Sequence, residues 1–383
     1  MNAVRAAVAA SLAIATAVCA QDRSRETSVA TTAELRRALA AARPGDVLVV
    51  APGAYDGVSV AGVRGAPGRR VTVRGADAAS RPVFRGGLHF ARAAHLELRD
   101  LAVEGAPANG INVDDGGAPD APARDVALID VVVRDVGGRD NHDGIKLSGV
   151  EDFRLERCTV ERWGRKGSAV DMVGCRRGVL EGCIFRDRET DAASSGVQAK
   201  GGSRDVAIRR CRFEHAGSRA VNLGGSTGRA YFRPKPEGYE AKDLLVEECV
   251  FVGSDAPVAF VGVDGAVVRR NTFVRPRRWA LRILQESRDA DFAPCRGGVF
   301  VGNLTTWRAA ELRGVANVGP GTAPETFRFE RNWWWCEDAA RGAPELPTPE
   351  REPGKGGDPK FRDAAAGDYR LAPGSPATGY GAP

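Results

Sequence analysis

Leu155-Glu156-Arg157-Cys158-Thr159-Val160 decides the reading of this chain, because six later segments repeat its phase. They are Leu180 to Phe185, Ile208 to Phe213, Val246 to Phe251, Val268 to Phe273, Phe300 to Thr305 and Phe329 to Trp334. In each, an apolar residue is followed three positions on by Cys or Asn, and two positions later by Val, Phe, Thr or Trp. Leu98 to Val103 and Leu128 to Val133 keep the phase, with Leu101 and Val131 at the Cys/Asn position. Successive copies start 22 to 38 residues apart. Short strands at that period, with Gly, Asn and Asp turns between them, are the signature of an all-β solenoid. Each coil of such a solenoid buries its core only against its neighbours, so one elongated domain is expected.

The 383 residues are 43% hydrophobic and 27% charged, with 47 Gly and 22 Pro, a turn-rich globular composition. Residues 1–20 read as a bacterial-type signal peptide: Arg5, the apolar run Ala6 to Ala17, then Val18-Cys19-Ala20 as a cleavage pattern. The apolar run is too short to span a membrane, and Val18 is bulkier than the small residue expected before a lipidated Cys. The mature protein is therefore expected to be secreted or periplasmic, without a membrane span. Removing Arg5 lowers the formal net charge from +6 to +5, a modest excess that suits a polyanion. Nucleic acid is not expected, because basic residues are scattered among acids and no recognition motif is present.

Seven Cys follow the leader. Cys158, Cys183, Cys211 and Cys249 share the phase that Asn271, Asn303 and Asn332 fill later, so a stacked column of small side chains is a better account of them than disulfides. Cys175, Cys295 and Cys336 lie off this phase, and a Cys295–Cys336 bridge stays open. Residues 21–30 read as an unstructured lead-in. Thr31-Thr32-Ala33-Glu34-Leu35 starts a short helix to Ala41, placed to cap the open N-terminal end of the coils spanning 31–336. Val47 to Val50 reads as the first strand. Residues 337–356 read as an extended linker, within a C-terminal segment (337–383) that packs on the far end.

A second strand aligns in each coil: Gly110 to Asp114, Gly144 to Ser148, Ala169 to Val173, Gly196 to Lys200, Ala220 to Gly224 and Pro257 to Val261. Side chains alternate across a strand, which puts Asn112, Lys146, Asp171, Gln198, Asn222, Ala259 and Arg282 in one outward row. Asp114, Ser148, Val173, Lys200, Gly224 and Val261 form a second. Amides and charges repeated at strand spacing suit a polysaccharide groove. Lys200 stands out, because its row neighbours Val173 and Gly224 supply no counter-charge and Arg219 lies nearby. A lysine in that setting is a candidate general base, although a solvated surface lysine is the bland alternative. Lys146 beside Asp171 is expected to be an ion pair. Asp171 with Asp143 or Asp114 is also a candidate calcium site, since hard cations take carboxylate oxygens. Gln198, Asn222, Arg282 and Lys146 are candidate substrate binders. Tyr231 and Arg233, in an aromatic and basic loop at 229–242, join them, with Tyr231, Phe232 and Tyr239 either stacking on sugars or packing their own loop.

Pro44-Gly45-Asp46 with Pro52-Gly53-Ala54-Tyr55, the Cys/Asn-phased coils, and the Asp358-Pro359-Lys360-Phe361…Ser375-Pro376 ending resemble secreted right-handed parallel β-helix proteins of the pectate-lyase-like superfamily. The resemblance covers nearly the whole mature chain and implies that fold, while the activities carried on it differ widely. Gln198-Ala199-Lys200 followed by Arg219-Ala220-Val221-Asn222-Leu223-Gly224-Gly225 is similar to chondroitinase-B-like and alginate-lyase-like enzymes. That implies β-elimination on a uronate-containing acidic polysaccharide, with Lys200 as base and Arg219 as donor or charge stabiliser. By coil register the family's arginine falls on Leu223, so Arg219 is a displaced candidate, and the family's calcium-binding acids lack a clear counterpart. Two other classes remain: a polygalacturonase-like hydrolase using Asp114, Asp115, Asp143 and Asp171, and a non-catalytic glycan-binding module. A monomer is expected in each case.

Overall fold

The structure, a computed structural model, describes residues 25–190, 192–340 and 344–383. The leader expected over 1–20 lies outside the described residues. Three parallel sheets of 12, 11 and 10 strands run the length of the molecule, and in each the spatial order of strands follows the chain. A coil contributes one strand to each sheet, as Val150–Glu156, Thr159–Glu161 and Ser168–Val173 do before Arg176–Glu181 starts the next. The winding is that of a right-handed parallel β-helix, the hand that right-twisted strands favour in parallel crossovers.

The corner between the first two strands of a coil explains the Cys/Asn phase. The residue just before it adopts a left-handed conformation: Asp130 (φ 53°), Arg157 (51°), Arg210 (49°), Glu248 (56°), Arg270 (54°) and Arg331 (50°). This single positive φ swings the chain through the corner and turns the next side chain inward. Where the inward side chain is polar, it satisfies buried backbone groups of the corner. Asn271 does so with both ends of its amide: Nδ2 donates to Val246 O and Arg269 O at 3.0 Å each, and Oδ1 accepts Cys249 N–H at 2.9 Å. Asn303 and Asn332 repeat the pattern one and two coils on. The thiols of Cys158, Cys183, Cys211 and Cys249 imitate it more weakly, each donating to a carbonyl of the preceding coil at 3.3 to 3.7 Å. All seven described Cys are free and buried, so the open Cys295–Cys336 pairing is not formed. Beside the column, Phe185, Phe213, Phe251, Phe273 and Phe300 stack at centroid separations of 5.0, 4.5, 4.9 and 5.6 Å, a range in which aromatic pairs add to simple burial.

Both ends differ from the sequence expectation. Glu26–Val29, within the expected lead-in, is a strand paired in parallel with Val47–Val50, which is therefore the second strand of its sheet. Its Val29 is buried, so the segment covers apolar edge that would otherwise face water. The capping helix spans Thr32–Ala40 with Thr31 as N-cap: Glu34 N–H donates to Thr31 Oγ1 at 3.2 Å and Ala30 N–H donates to Glu34 Oε2 at 2.9 Å. Leu35 and Leu39 are its buried face. At the other end, Glu350, expected in a linker, takes the next place in the Asn column. Its Oε1 accepts Asn332 N–H and Nδ2–H at 2.8 Å each, and Oε2 accepts the Trp334 indole N–H at 2.8 Å. Phe361–Asp363 and Asp368–Leu371 then form a small antiparallel pair.

Two outcomes follow. Asn303→Ala would orphan the Asn271 N–H in a dry interior and is expected to cost about 3 kcal/mol or more in urea unfolding. Burial raises the thiol pKa of Cys175 to about 12 and of Cys295 to about 11. A thiol reagent at pH 8 is therefore expected to react only after denaturation. Stability should fall as pH rises above about 8.5, where the unfolded chain begins to release thiol protons that the folded chain retains.

Candidate functional site

The ten-stranded sheet carries the polar strip. Its register places Ser59, His89, Asn112, Lys146, Asp171, Gln198, Asn222, Ala259, Arg282 and Asn317 in one continuous row. At strand spacing this row is about 40 Å long. The adjacent row includes Ala61, Ala91, Asp114, Ser148, Val173 and Lys200.

The centre of the strip is an ion cluster. Asp171 and Asp143, both buried, flank the Lys146 ammonium, which contacts Asp171 Oδ2 closely and Asp143 Oδ2 at 3.3 Å. Burial opposes the Lys146 charge, but the Asp171 and Asp143 carboxylates outweigh it and hold its pKa above the ordinary lysine value. The Asp143 carboxyl is pushed up, by burial first and the Asp171 charge second. Asp143 Oδ1 also accepts Ser168 N–H at 2.8 Å. Lys146 thus occupies the place a cation would take between the two acids. Among the described residues no group of three His, Cys, Asp or Glu side chains suits a metal ion. The residues do not fit the expected calcium site.

Lys200 has a partner that its row neighbours did not reveal. Its Nζ lies 3.5 Å from Asp171 Oδ1, reached diagonally across one strand step, so the expectation of a lysine without a counter-charge is corrected. Asp171 Oδ1 also accepts Gln198 Nε2–H at 2.7 Å. From there the contacts continue. Asn222 Nδ2 donates to Gln198 Oε1 at 3.3 Å, and Arg219 Nη1 donates to Asn222 Oδ1 at 3.3 Å while Nη2 donates to Glu286 Oε1 at 2.6 Å. Arg282 lies 4.4 Å over the Trp279 ring and donates to Asn317 Oδ1 at 2.9 Å. Its pKa is held below the arginine value, by burial first and the Arg219 charge second. Lys200, Gln198, Asn222, Arg219 and Arg282 therefore lie in one neighbourhood, with four cations (Lys146 included) against Asp143, Asp171 and Glu286.

Packing explains two glycines and revises one expectation. Gly224 is required by backbone approach, since a Cβ there would sit 1.8 Å from Val261 O, whereas Gly225 is the glycine that lies against the Lys200 stem. Arg233 does not face the strip openly: its Nε lies 2.6 Å from Asp115 Oδ2 in a charge contact too bent for a hydrogen bond, and its N–H donates to Gly201 O at 3.1 Å. It anchors the 229–242 loop. In that loop Phe232 is buried edge-on against Phe292 and Tyr239 is buried with its hydroxyl on Glu237, while Tyr231 is 67% exposed. The four Asp proposed for a hydrolase do not form one cluster, because Asp114 meets His89 and Asp115 meets Arg233.

Glu240 was not legible as part of this neighbourhood. It is fully buried, and its carboxylate accepts Gly201 N–H (3.0 Å), Thr227 N–H (2.8 Å), Thr227 Oγ1–H (2.7 Å) and Ser287 Oγ–H. It thereby ties together the turn after Lys200, the loop after Gly225 and the segment carrying Glu286.

A right-handed parallel β-helix with a polar, cation-rich strip along one sheet is the class these observations define. The family model described as right handed beta helix region matches residues 86–296, more than half of the chain, and the protein belongs to that family. Solved structures with this fold include alginate lyase from Paenibacillus sp. str. FPU-7, at 17% identity and TM-score 0.52 over 87% of this chain and 97% of that one. The PL6 family polysaccharide lyase Pedsa3628 from Pseudopedobacter saltans has 12% identity and TM-score 0.52, over 93% and 98%. Pectate lyase Pel9A has 13% identity and TM-score 0.53, over 92% and 90%. At such identities the likeness is one of fold. No curated protein sequence matches the chain.

The cluster separates two lysines by experiment. Lys146→Met would leave buried Asp143 without a cation and Asp171 with only the longer Lys200 contact, and is expected to destabilise by about 3 kcal/mol. Lys200→Met removes a longer, more peripheral contact and is expected to cost no more than about 1 kcal/mol. Denaturant unfolding of both variants checks the contrast.

Proposed function

We propose that this protein is a polysaccharide lyase that cleaves a uronate-containing acidic chain by β-elimination. The observation that carries the reading is the placement of Lys200 beside Asp171 on the same strip as Asn222, Arg219 and Arg282. In such a reaction the proton next to the sugar carboxyl group is removed, the bond to the 4-linked sugar breaks, and a carbon–carbon double bond forms. Lys200 is the base. As its Nζ takes the proton it becomes positive, and Asp171 at 3.5 Å favours that charge as it develops. The substrate carboxylate must be neutralised for the proton to leave, and Arg219 and Arg282 are the cations within reach of one strip position. Asn222 and Gln198 orient the sugar, and Tyr231 offers an exposed ring for stacking. Arg219 is also the candidate donor to the departing oxygen. The similar solved structures of an alginate lyase and a pectate lyase support the substrate class. The leader reading supports action outside the cytoplasm, and no helix among the described residues is long and apolar enough to cross a membrane.

Purified protein is to be incubated with alginate, pectate and chondroitin sulfate, following the ultraviolet absorbance of unsaturated uronates. Product is expected with at least one of them, with and without a chelator, because Lys146 fills the place between Asp143 and Asp171. Lys200→Ala should lower kcat/KM by about 10²-fold or more, and Arg282→Ala should lower kcat as well as raise KM, because it neutralises the carboxylate as the proton leaves. Reducing ends without new absorbance would identify a hydrolase. Full lyase activity in Lys200→Ala would contradict the base assignment.

A further inference from the structure

The N-terminal end of the same sheet holds a second constellation. Ser59, His89 and Asp114 come from three neighbouring strands, Val58–Ala61, Leu88–Ala91 and Ile111–Asp114. Ser59 Oγ lies 3.1 Å from His89 Nδ1, and His89 Nε2 lies 2.8 Å from Asp114 Oδ2. With the ring proton on Nε2 directed at the carboxylate, the Nδ1 lone pair faces the hydroxyl. Asp114 is itself fixed: Asn112 Nδ2 donates to its Oδ2 at 3.0 Å and Gly116 N–H to its Oδ1 at 2.8 Å. Carboxylate, imidazole and hydroxyl therefore stand in the order that activates a serine nucleophile.

The surroundings suit a small acyl group. Ser59 is exposed on the terminal strand of the sheet. Val58 N–H donates to Gly87 O and Gly62 N–H to Ala91 O, so even-numbered residues of this strand face the neighbouring strand. By alternation the Ser59 N–H points away from the neighbouring strand, which makes it the backbone donor nearest to an oxyanion formed on Ser59 Oγ. The next outward position on each strand is an alanine, Ala61 paired with Ala91, which leaves a shallow apolar step beside the hydroxyl. Five strand steps separate Ser59 from Lys200, about 24 Å along one groove.

We propose that Ser59, His89 and Asp114 form an acyl-transfer site that removes small acetyl-type esters from the acidic polysaccharide that lies along this sheet. Ser59 Oγ bonds to the acyl carbon as its proton passes to His89 Nδ1. The carbon–oxygen bond to the sugar then breaks, and the freed sugar oxygen takes that proton. Water repeats the two steps on the acyl-serine and releases the carboxylic acid. The chemistry stands apart from the lyase reading, and only the identity of the carrier rests on it.

The test uses the full chain with a fluorophosphonate probe, p-nitrophenyl acetate and an O-acetylated polyuronate. One covalent adduct is expected, mapped to Ser59 by peptide mass spectrometry and absent from Ser59→Ala. Acetate release should fall about 10²-fold or more in His89→Gln and persist in Lys200→Ala, which separates this site from the lyase centre. Thermal melting of Ser59→Ala and His89→Gln should match the parent, since both side chains lie at the surface. No adduct at Ser59, or acetate release unchanged in Ser59→Ala, would overturn the proposal.

Discussion

Every coil of this molecule must pass its chain through the same corner, and the backbone groups buried there have no water to satisfy them. That constraint governs the rest. A left-handed residue makes the corner in one step and the next side chain turns inward; Leu101 and Val131 only pack there, whereas from Cys158 onward it serves as hydrogen-bond partner for neighbouring coils. Asn meets the need fully, with a donor and an acceptor at each level, while Cys meets part of it and packs as a small apolar group. The column cannot simply stop, because its last amide would expose an unpaired edge. Glu350 closes it with a carboxylate in the Asn position, which makes the C-terminal segment a structural rung and not a tether.

A stack held at constant register makes an unusually regular surface. Side chains from segments far apart in sequence are delivered to one outward row with strand spacing, and the chemistry of that row is decided by which charges meet. The central acids do not stand free. Lys146 is enclosed by Asp143 and Asp171, which leaves Lys200 as the more loosely held cation on the same carboxylate. Lys146 thus holds the two acids together, while Lys200 keeps room to move beside them. Glu240 adds a support beneath it, since one buried carboxylate fixes the turn that follows Lys200 and two loops beside it.

The fold was legible because its decisive signal is periodic: the Cys158-to-Asn332 phase and the matching outward rows need only strand geometry to be read. The site was legible in composition and less so in contact. The Asp171–Lys200 contact runs diagonally between rows, and a register argument compares only residues directly opposite. Arg233 looks ligand-facing from its basic, aromatic loop, but its partner Asp115 lies more than a hundred residues earlier, beyond any local pattern. Glu26–Val29 looked like polar lead-in because a short edge strand carries little apolar signal of its own. His89 and Ser59 belong to the first coils, where apolar residues take the place of the Cys/Asn phase that marks the register.

The central claim is that the ten-stranded sheet, at Lys200, is where an acidic polysaccharide reacts. A crystal structure of Lys200→Ala soaked with a uronate oligosaccharide tests it most directly. The expected result is a sugar chain along this sheet with one uronate carboxylate within hydrogen-bonding distance of Arg219 or Arg282 and its ring beside position 200. An oligosaccharide seated on another sheet, or on this one with no carboxylate near those arginines, would contradict the account.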